Sequence, residues 1–254
     1  MIKSIFVLCF LAWSFLSPIS YAQSVTVAVA SNLKPAFEEI FKGFSQSNPQ
    51  SKNIRVVYGS SGNLSSQMKH GAPYELFISA DEAYPLRLVE AGLTRDRGVV
   101  YASGHLALIT NVAAGLRLSS DPDSIHSLLR DAKKIAIANP DLAPYGRASV
   151  QYLQAIGLWD ELQSRVIFAE NISIAAVYVS TGAAKVGITA LSLAKSSELS
   201  QQIQYLALPD NLYAPIKQRM VLKRDPSPIA IALYDYLQGS VAKQILRNNG
   251  YSVP

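Results

Sequence analysis

The sequence predicts an α/β protein of two lobes built on mainly parallel sheets. Short apolar runs of strand composition alternate with stretches of helical periodicity along most of the chain. Apolar residues make up 49% of the 254 residues, enough for a full core. The strand–loop–helix plan of the first third recurs after a crossing region at Tyr101–Thr110.

The first 22 residues read as a removable export signal. Lys3 supplies a positive start, Ile5 to Leu16 an apolar core, and Ser20-Tyr21-Ala22 a small-x-small cleavage site before Gln23. That apolar run is short for a membrane span, and no comparable run follows. The single cysteine, Cys9, lies within this leader. The mature chain is therefore expected to lack disulfides, thiol catalysis and thiolate metal sites, and to be exported, soluble and periplasmic. The whole chain carries a net charge of +5. Its basic residues are scattered, apart from Lys133-Lys134 and the group Lys217, Arg219, Lys223 and Arg224. No basic tract has interleaved aromatics, which argues against nucleic acid as a partner.

Val25, Val27 and Val29 alternate with small residues and predict a buried first strand. Ser31 and Asn32 stand where a helix N-cap belongs, and Pro35 falls in the first turn that follows. Phe37, Ile40, Phe41 and Phe44 give that helix its apolar face. Ile54 to Tyr58 predicts a second strand, ending in Gly59-Ser60-Ser61-Gly62-Asn63-Leu64, which opens a helix through Met68. Leu76 to Ala80 predicts a third strand, with Asp81 placed to cap a helix containing Leu86 and Val89. Strand-like residues resume through Leu106, Leu108 and Ile109, where the chain is expected to cross into its second lobe.

There, Ile135 to Ala138 predicts a short buried strand and Asn139 to Pro144 a turn-rich loop. Tyr145-Gly146-Arg147 opens a helix that Gly157 stops. Val166 to Phe168 is a strand, Glu170-Asn171-Ile172 starts another helix, and Val186 to Ala190 is a strand again. Tyr205 to Leu208 and Ile216 to Leu222 follow, and a helix through Ile229, Leu233, Tyr236 and Leu237 closes the chain.

Four strand-to-helix junctions carry the chemistry: Ser31-Asn32, Ser60-Ser61-Gly62, Pro144-Tyr145-Gly146 and Asn171-Ile172. A helix start presents free N–H groups and the positive end of its dipole, which together make a seat for an anion. Ser and Asn cap helices everywhere, so one junction alone says little. Four of them, two per half at the carboxyl ends of strands, point to one anion site in the cleft. Such a site offers hydroxyl and amide donors and no acidic acceptor, and so favours a fully deprotonated tetrahedral dianion. A protonated anion would bring a donor without a partner, at a cost of roughly 1–3 kcal/mol.

Catalytic readings find less support. Gly59-Ser60-Ser61-Gly62-Asn63 resembles a nucleophile elbow, but Asn63 stands where the second glycine belongs. His70, His105 and His126 have no acid at a telling spacing. No metal-ligand cluster and no phosphate-binding P-loop occurs in the sequence. Arg147 and Lys185 read as solvated charges, and Trp159 as a packing residue at a helix end.

The segments Val29-Ala-Ser-Asn32, Gly59-Ser-Ser-Gly62, Gly71-Ala-Pro-Tyr-Glu-Leu-Phe-Ile-Ser-Ala-Asp-Glu82 and Asn139-Pro-Asp-Leu-Ala-Pro-Tyr-Gly146 resemble the periplasmic molybdate-binding proteins of ABC transporters. The match runs in order from Val25 to Tyr234-Asp-Tyr-Leu-Gln-Gly239. It implies the two-lobed type II periplasmic-binding-protein fold, closing around molybdate or tungstate. Carried over by motif, Ser31 and Ser61 donate hydroxyl and amide hydrogens, and Tyr145 and Ile172 donate backbone amides. Asn32 and Ser60 flank the pocket and add amides. Many members of that family have a ligand-contacting tyrosine where Ala190 stands here, and Tyr145 is expected to cover the space of that missing ring.

The resemblance further implies a monomeric, non-catalytic receptor that serves a membrane permease. It has no cofactor, and molybdenum is bound only as its oxyanion, without direct protein–metal ligands. Lobe 1 is expected over residues 23–101 with a return over about 223–254, and lobe 2 over 102–222. Two alternatives stay open at this stage: a receptor for sulfate or another small oxyanion, and an exported serine esterase using Ser61.

Overall fold

The computed structural model describes residues 24–254, so the export signal and Cys9 lie outside the described residues. Ten strands follow one another as β1 (Val25–Ala30), β2 (Ile54–Gly59), β3 (Tyr74–Ile78), β4 (Val99–Gly104), β5 (Leu106–Asn111), β6 (Ile135–Ala138), β7 (Val166–Ala169), β8 (Val186–Ala190), β9 (Ile203–Ala207) and β10 (Ile216–Leu222). They form two five-stranded sheets, ordered β2-β1-β3-β10-β4 and β7-β6-β8-β5-β9. In the first sheet β1 runs parallel to β2 and β3, while β10 runs antiparallel to β3 and β4. The second repeats that scheme, with β6 parallel to β7 and β8, and β5 antiparallel to β8 and β9. Each sheet is therefore mixed, with an antiparallel half that the alternation of elements did not disclose.

The helices are α1 (Lys34–Ser47), α2 (Ser61–Lys69), α3 (Ala83–Glu90), α4 (Pro122–Asp131), α5 (Pro144–Ala155), α6 (Trp159–Leu162), α7 (Ile172–Ser180), α8 (Leu191–Ala194), α9 (Pro228–Tyr236) and α10 (Ser240–Asn248). Strand β1 is inaccessible on both faces from Val27 to Ala30, as a parallel strand covered by helices must be. Helix α1 buries Phe37, Ile40 and Phe44 against it, joined by Leu233, Leu237, Ala242 and Leu246 of the C-terminal segment. A separate core in the second lobe packs Ile135, Ile137 and Ile188 against Tyr152 and Leu153 of α5. Four helices have no counterpart among the expectations from sequence: α4, capped by the Asp121 carboxylate, the single-turn α6 and α8, and α10.

The chain passes from the first sheet to the second at His105, between β4 and β5, and returns between Ala207 and Ile216. This corrects the expected boundaries, because Ala102–Gly104 and all of β10 belong to the first sheet and not to lobe 2. An apolar strand looks the same whichever sheet receives it. Only the pairing of Met220, Val221 and Leu222 with Ile78, Phe77 and Leu76 decides the matter.

Candidate functional site

At the first junction, β1 runs into a 3-10 turn, Ser31–Leu33, and α1 begins only at Lys34 with no side-chain cap. The expected capping by Ser31 or Asn32 is not made. The Asn32 side chain is instead held in the interior, where Nδ2 donates to Gln218 Oε1 at 3.0 Å and to the Tyr251 hydroxyl at 2.9 Å. That leaves the backbone N–H as the group Asn32 can offer a ligand.

At the second junction, Ser60 caps α2 by accepting the Asn63 N–H at 3.4 Å. Ser61, the first residue of α2, accepts the Ala80 N–H on its Oγ at 2.9 Å. A hydroxyl has one proton and two lone pairs. With an acceptor site occupied by Ala80, Ser61 can direct its proton into the cleft.

The second lobe supplies the other two junctions. Pro144 opens α5, and Gly146 lets that helix start lie directly on the end of β6, since a Cβ there would stand 2.3 Å from the Ala138 carbonyl oxygen. Asn171 caps α7, its Oδ1 accepting the N–H groups of Ser173 and Ile174 at 3.1 Å each. The cap passes over Ile172, whose N–H is one of the orphan donors of the helix start.

Ser31, Asn32, Ser60, Ser61, Tyr145 and Ile172 all line one cleft between the lobes, together with backbone and small side chains of Ala30, Gly59, Ala80, Ala143 and Pro144. None of these lining residues is acidic or basic. The cleft can therefore neutralise an anion only through hydroxyls, amides and helix dipoles.

Bonds across the cleft hold the lobes together. The Gly62 N–H donates to the Leu142 carbonyl at 2.8 Å, and Tyr84 Oη donates to the Asp141 carbonyl at 2.8 Å. Arg147 reads in the sequence as a solvated charge, but it pairs with Asp81 of the opposite lobe and lies over the Tyr84 ring, 5.4 Å from its centroid. Burial pushes the Asp81 carboxyl up, against the lowering effects of the Tyr84 N–H and of Arg147. On the other side, Ser173 Oγ donates to the Ser31 carbonyl at 3.0 Å and Ser192 Oγ to the Asn32 carbonyl at 2.9 Å.

Tyr145 is also held at its phenol end. Its hydroxyl accepts the Gln218 Nε2–H at 2.9 Å, and a Cβ on Gly104 would stand 1.9 Å from it. The ring tip is thus engaged at the passage between the sheets. Burial pushes the phenols of Tyr101, Tyr145 and Tyr251 up, so each remains a neutral hydroxyl there.

The histidines read as lacking acidic neighbours, yet His105 Nδ1 lies 2.8 Å from Asp210 Oδ1 and Nε2 lies 2.9 Å from Ser252 Oγ. These three residues come from both crossovers and the C-terminal segment after α10, and they brace the passage between the lobes. The ring contacts of His70 and His105 go to Ser66, Asp210 and Ser252, and the Ser61 hydroxyl is engaged by Ala80, an arrangement unlike that of a nucleophile with its base.

The model of the bacterial extracellular solute-binding proteins matches residues 25–252. The chain belongs to that family. This solute-binding protein is 34% identical to the molybdate-binding protein ModA of Azotobacter vinelandii over 237 residues, 91% of each chain. It is 32% identical to ModA of Rhodobacter capsulatus, covering 91% of this chain and 88% of that one. The solved structure of the Azotobacter vinelandii periplasmic molybdate-binding protein superposes with a TM-score of 0.81, covering 91% of this chain and 99% of that one at 29% identity. The sulfate-binding protein SubI of Mycobacterium tuberculosis shares the fold at a TM-score of 0.73 and 17% identity. No helix among the described residues is long and apolar enough to cross a membrane, and no group of three or more His, Cys, Asp or Glu among them could hold a metal ion.

Proposed function

We propose that this solute-binding protein captures molybdate, and tungstate with it, outside the cytoplasm and delivers the ion to the permease of an ABC importer. The observation that carries the reading is the convergence, on one cleft without acidic side chains, of two serine hydroxyls and helix starts from both lobes. Ser31 and Ser61 donate from the first lobe, Tyr145 and Ile172 offer backbone amides from the second, and Asn32 and Ser60 add amides at the rim. A dianion accepts from all of these. Hydrogen phosphate brings a proton that finds no carboxylate among the lining residues, and leaving that group unpaired costs roughly 1–3 kcal/mol. The relatives named for molybdate cover nine-tenths of the chain and support this choice of ion.

In this reading the protein is a periplasmic monomer without catalytic activity or cofactor, and molybdenum enters only as its oxyanion. The alternative esterase is disfavoured because the bonded partner of the Ser61 hydroxyl is the Ala80 N–H and not a histidine or carboxylate that could serve as its base. Sulfate offers the same acceptors in a smaller tetrahedron, so discrimination rests on how far apart the two lobes hold their donors. Calorimetry of Gln23–Pro254 with molybdate, tungstate, sulfate and phosphate tests the proposal. One-to-one binding of the first two alone is the expected result. Heat from sulfate with silence toward molybdate would assign the site to sulfate, and turnover of an activated ester that is lost in Ser61→Ala would restore the hydrolase.

A further inference from the structure

The side chain of Gln218 joins two residues that line the cleft, Asn32 from the first lobe and Tyr145 from the second. It sits in β10 with no solvent exposure, on the same strand face as Ile216 and Met220. Its Oε1 accepts from Asn32 Nδ2 at 3.0 Å, next to Ser31 on the first junction. The same oxygen lies 2.7 Å from the Tyr101 hydroxyl, which is also 3.0 Å from the Ser79 carbonyl oxygen. Ser79 precedes Ala80, whose N–H engages the Ser61 hydroxyl of the second junction. Its Nε2 donates to the Tyr145 hydroxyl at the start of α5 in the other lobe. One amide thus meets two of the four junctions directly and reaches a third through Tyr101, Ser79 and Ala80, and the fourth is tied to the first through Ser173 and the Ser31 carbonyl.

We infer that Gln218 is a positioning residue for anion binding. It sets the distance between the donors of the first lobe and those of the second without touching the ion. A primary amide suits the task because it supplies an acceptor toward Asn32 and Tyr101 and a donor toward Tyr145 from one planar group. Buried, uncharged and bonded through both its oxygen and its nitrogen, it has little freedom to follow a misplaced partner. The strand matters as well: β10 leads out of the second crossover, so a change in lobe angle is felt first at the strand that carries Gln218. The Tyr145 ring takes its orientation from the same amide, and the helix start that offers the Tyr145 backbone N–H is oriented with it.

The inference rests on the oxyanion-receptor reading for its affinity readout, and a ligand-free readout keeps the two separable. Gln218→Met keeps length and apolar volume while removing all three hydrogen bonds. Calorimetry with molybdate is expected to show at least a tenfold loss of affinity in the folded variant. Tyr145→Phe is expected to show a smaller loss, and the double variant no more than Gln218→Met alone, because the two act through one bond. A side chain that merely stabilised the fold would lower the melting temperature and leave the affinity of the folded protein unchanged. Hydrogen exchange in the absence of ligand should quicken in Gln218→Met at residues 31–34 and 145–149 together. If the parent protein ignores molybdate, the receptor reading fails, while the exchange measurement still decides on Gln218. Unchanged affinity, additive losses, or exchange that quickens around β10 alone would overturn the inference.

Discussion

The backbone N–H of Gly62, the residue after Ser61, donates to the carbonyl of Leu142 across the cleft at 2.8 Å. A first-lobe helix start and a second-lobe loop thus touch main chain to main chain, and only a residue without a side chain permits it. A Cβ on Gly62 would lie 2.8 Å from the Leu142 oxygen and 2.7 Å from Tyr84 Oη. The carbonyl is backbone and cannot swing aside, so the lobes would have to stand further apart.

Gly62→Ala is therefore predicted to separate closure from stability. Alanine is a better helix former than glycine by roughly 0.5–1 kcal/mol, so the ligand-free protein should melt no lower than the parent. Molybdate affinity should fall tenfold or more, about 1.4 kcal/mol. Scattering should show less compaction on ligand addition. Parent-like affinity would mean that the lobes reach their binding distance without this contact.

In the proposed binding mode Ser61→Ala removes a donor to the ion, and it leaves the Ala80 N–H without its partner. A hydrogen bond to a charged group contributes about 1.5–3 kcal/mol, which converts to an affinity loss of roughly tenfold to a hundredfold. Ser60→Ala should behave otherwise. Its hydroxyl is engaged as the cap of α2, so the expected cost is about 1 kcal/mol of stability with a small change in affinity. Calorimetry and urea unfolding on the two variants give the comparison. Equal affinity losses would contradict the separation of roles.

These contrasts show where the sequence was legible. Strand ends followed by Ser, Asn or Pro located all four junctions, because a helix start needs residues of those kinds whatever it binds. Gln218 and Tyr251 stayed hidden for the opposite reason. Their partners lie 186 and 219 residues away at Asn32, and no local spacing encodes such a meeting. A signal was present in β10 all the same, where a glutamine shares a strand face with Ile216 and Met220. A polar side chain on a core face must find buried partners, and here they are the cleft residues themselves. Without those distant partners Asn32 reads as a cap, and the antiparallel halves of both sheets are not legible because apolar strands do not announce their direction.

The brace at His105 gives a pH prediction. Partial burial pushes the Asp210 carboxyl up, but hydrogen bonds from His105 and Tyr213 and the His105 charge outweigh it and hold the group below the ordinary carboxylate range. A carboxylate with a depressed folded value stabilises the fold above its unfolded value, near 4 or about that. The contribution drains away as pH falls through the lower folded value. His105→Gln should move the Asp210 titration midpoint upward by carbon NMR. It should also flatten the acid-side slope of unfolding stability below about pH 4. An unmoved midpoint would show that Tyr213 alone holds the carboxylate.

The cap at Asn171 joins stability to binding at the fourth junction. Its Oδ1 satisfies two N–H groups of α7 and leaves the N–H of Ile172, a residue of the cleft lining, outside the cap. Asn171→Ala should cost about 1 kcal/mol of stability, read from the midpoint of urea unfolding. Asn171→Asp keeps an acceptor for both N–H groups and should restore that stability. It also places a negative charge beside the cleft, so molybdate affinity should fall below that of the alanine variant, and the deficit should shrink as salt screens the repulsion. Stability and affinity that recovered together in Asn171→Asp would mean that the α7 start lies too far from the ion to sense its charge.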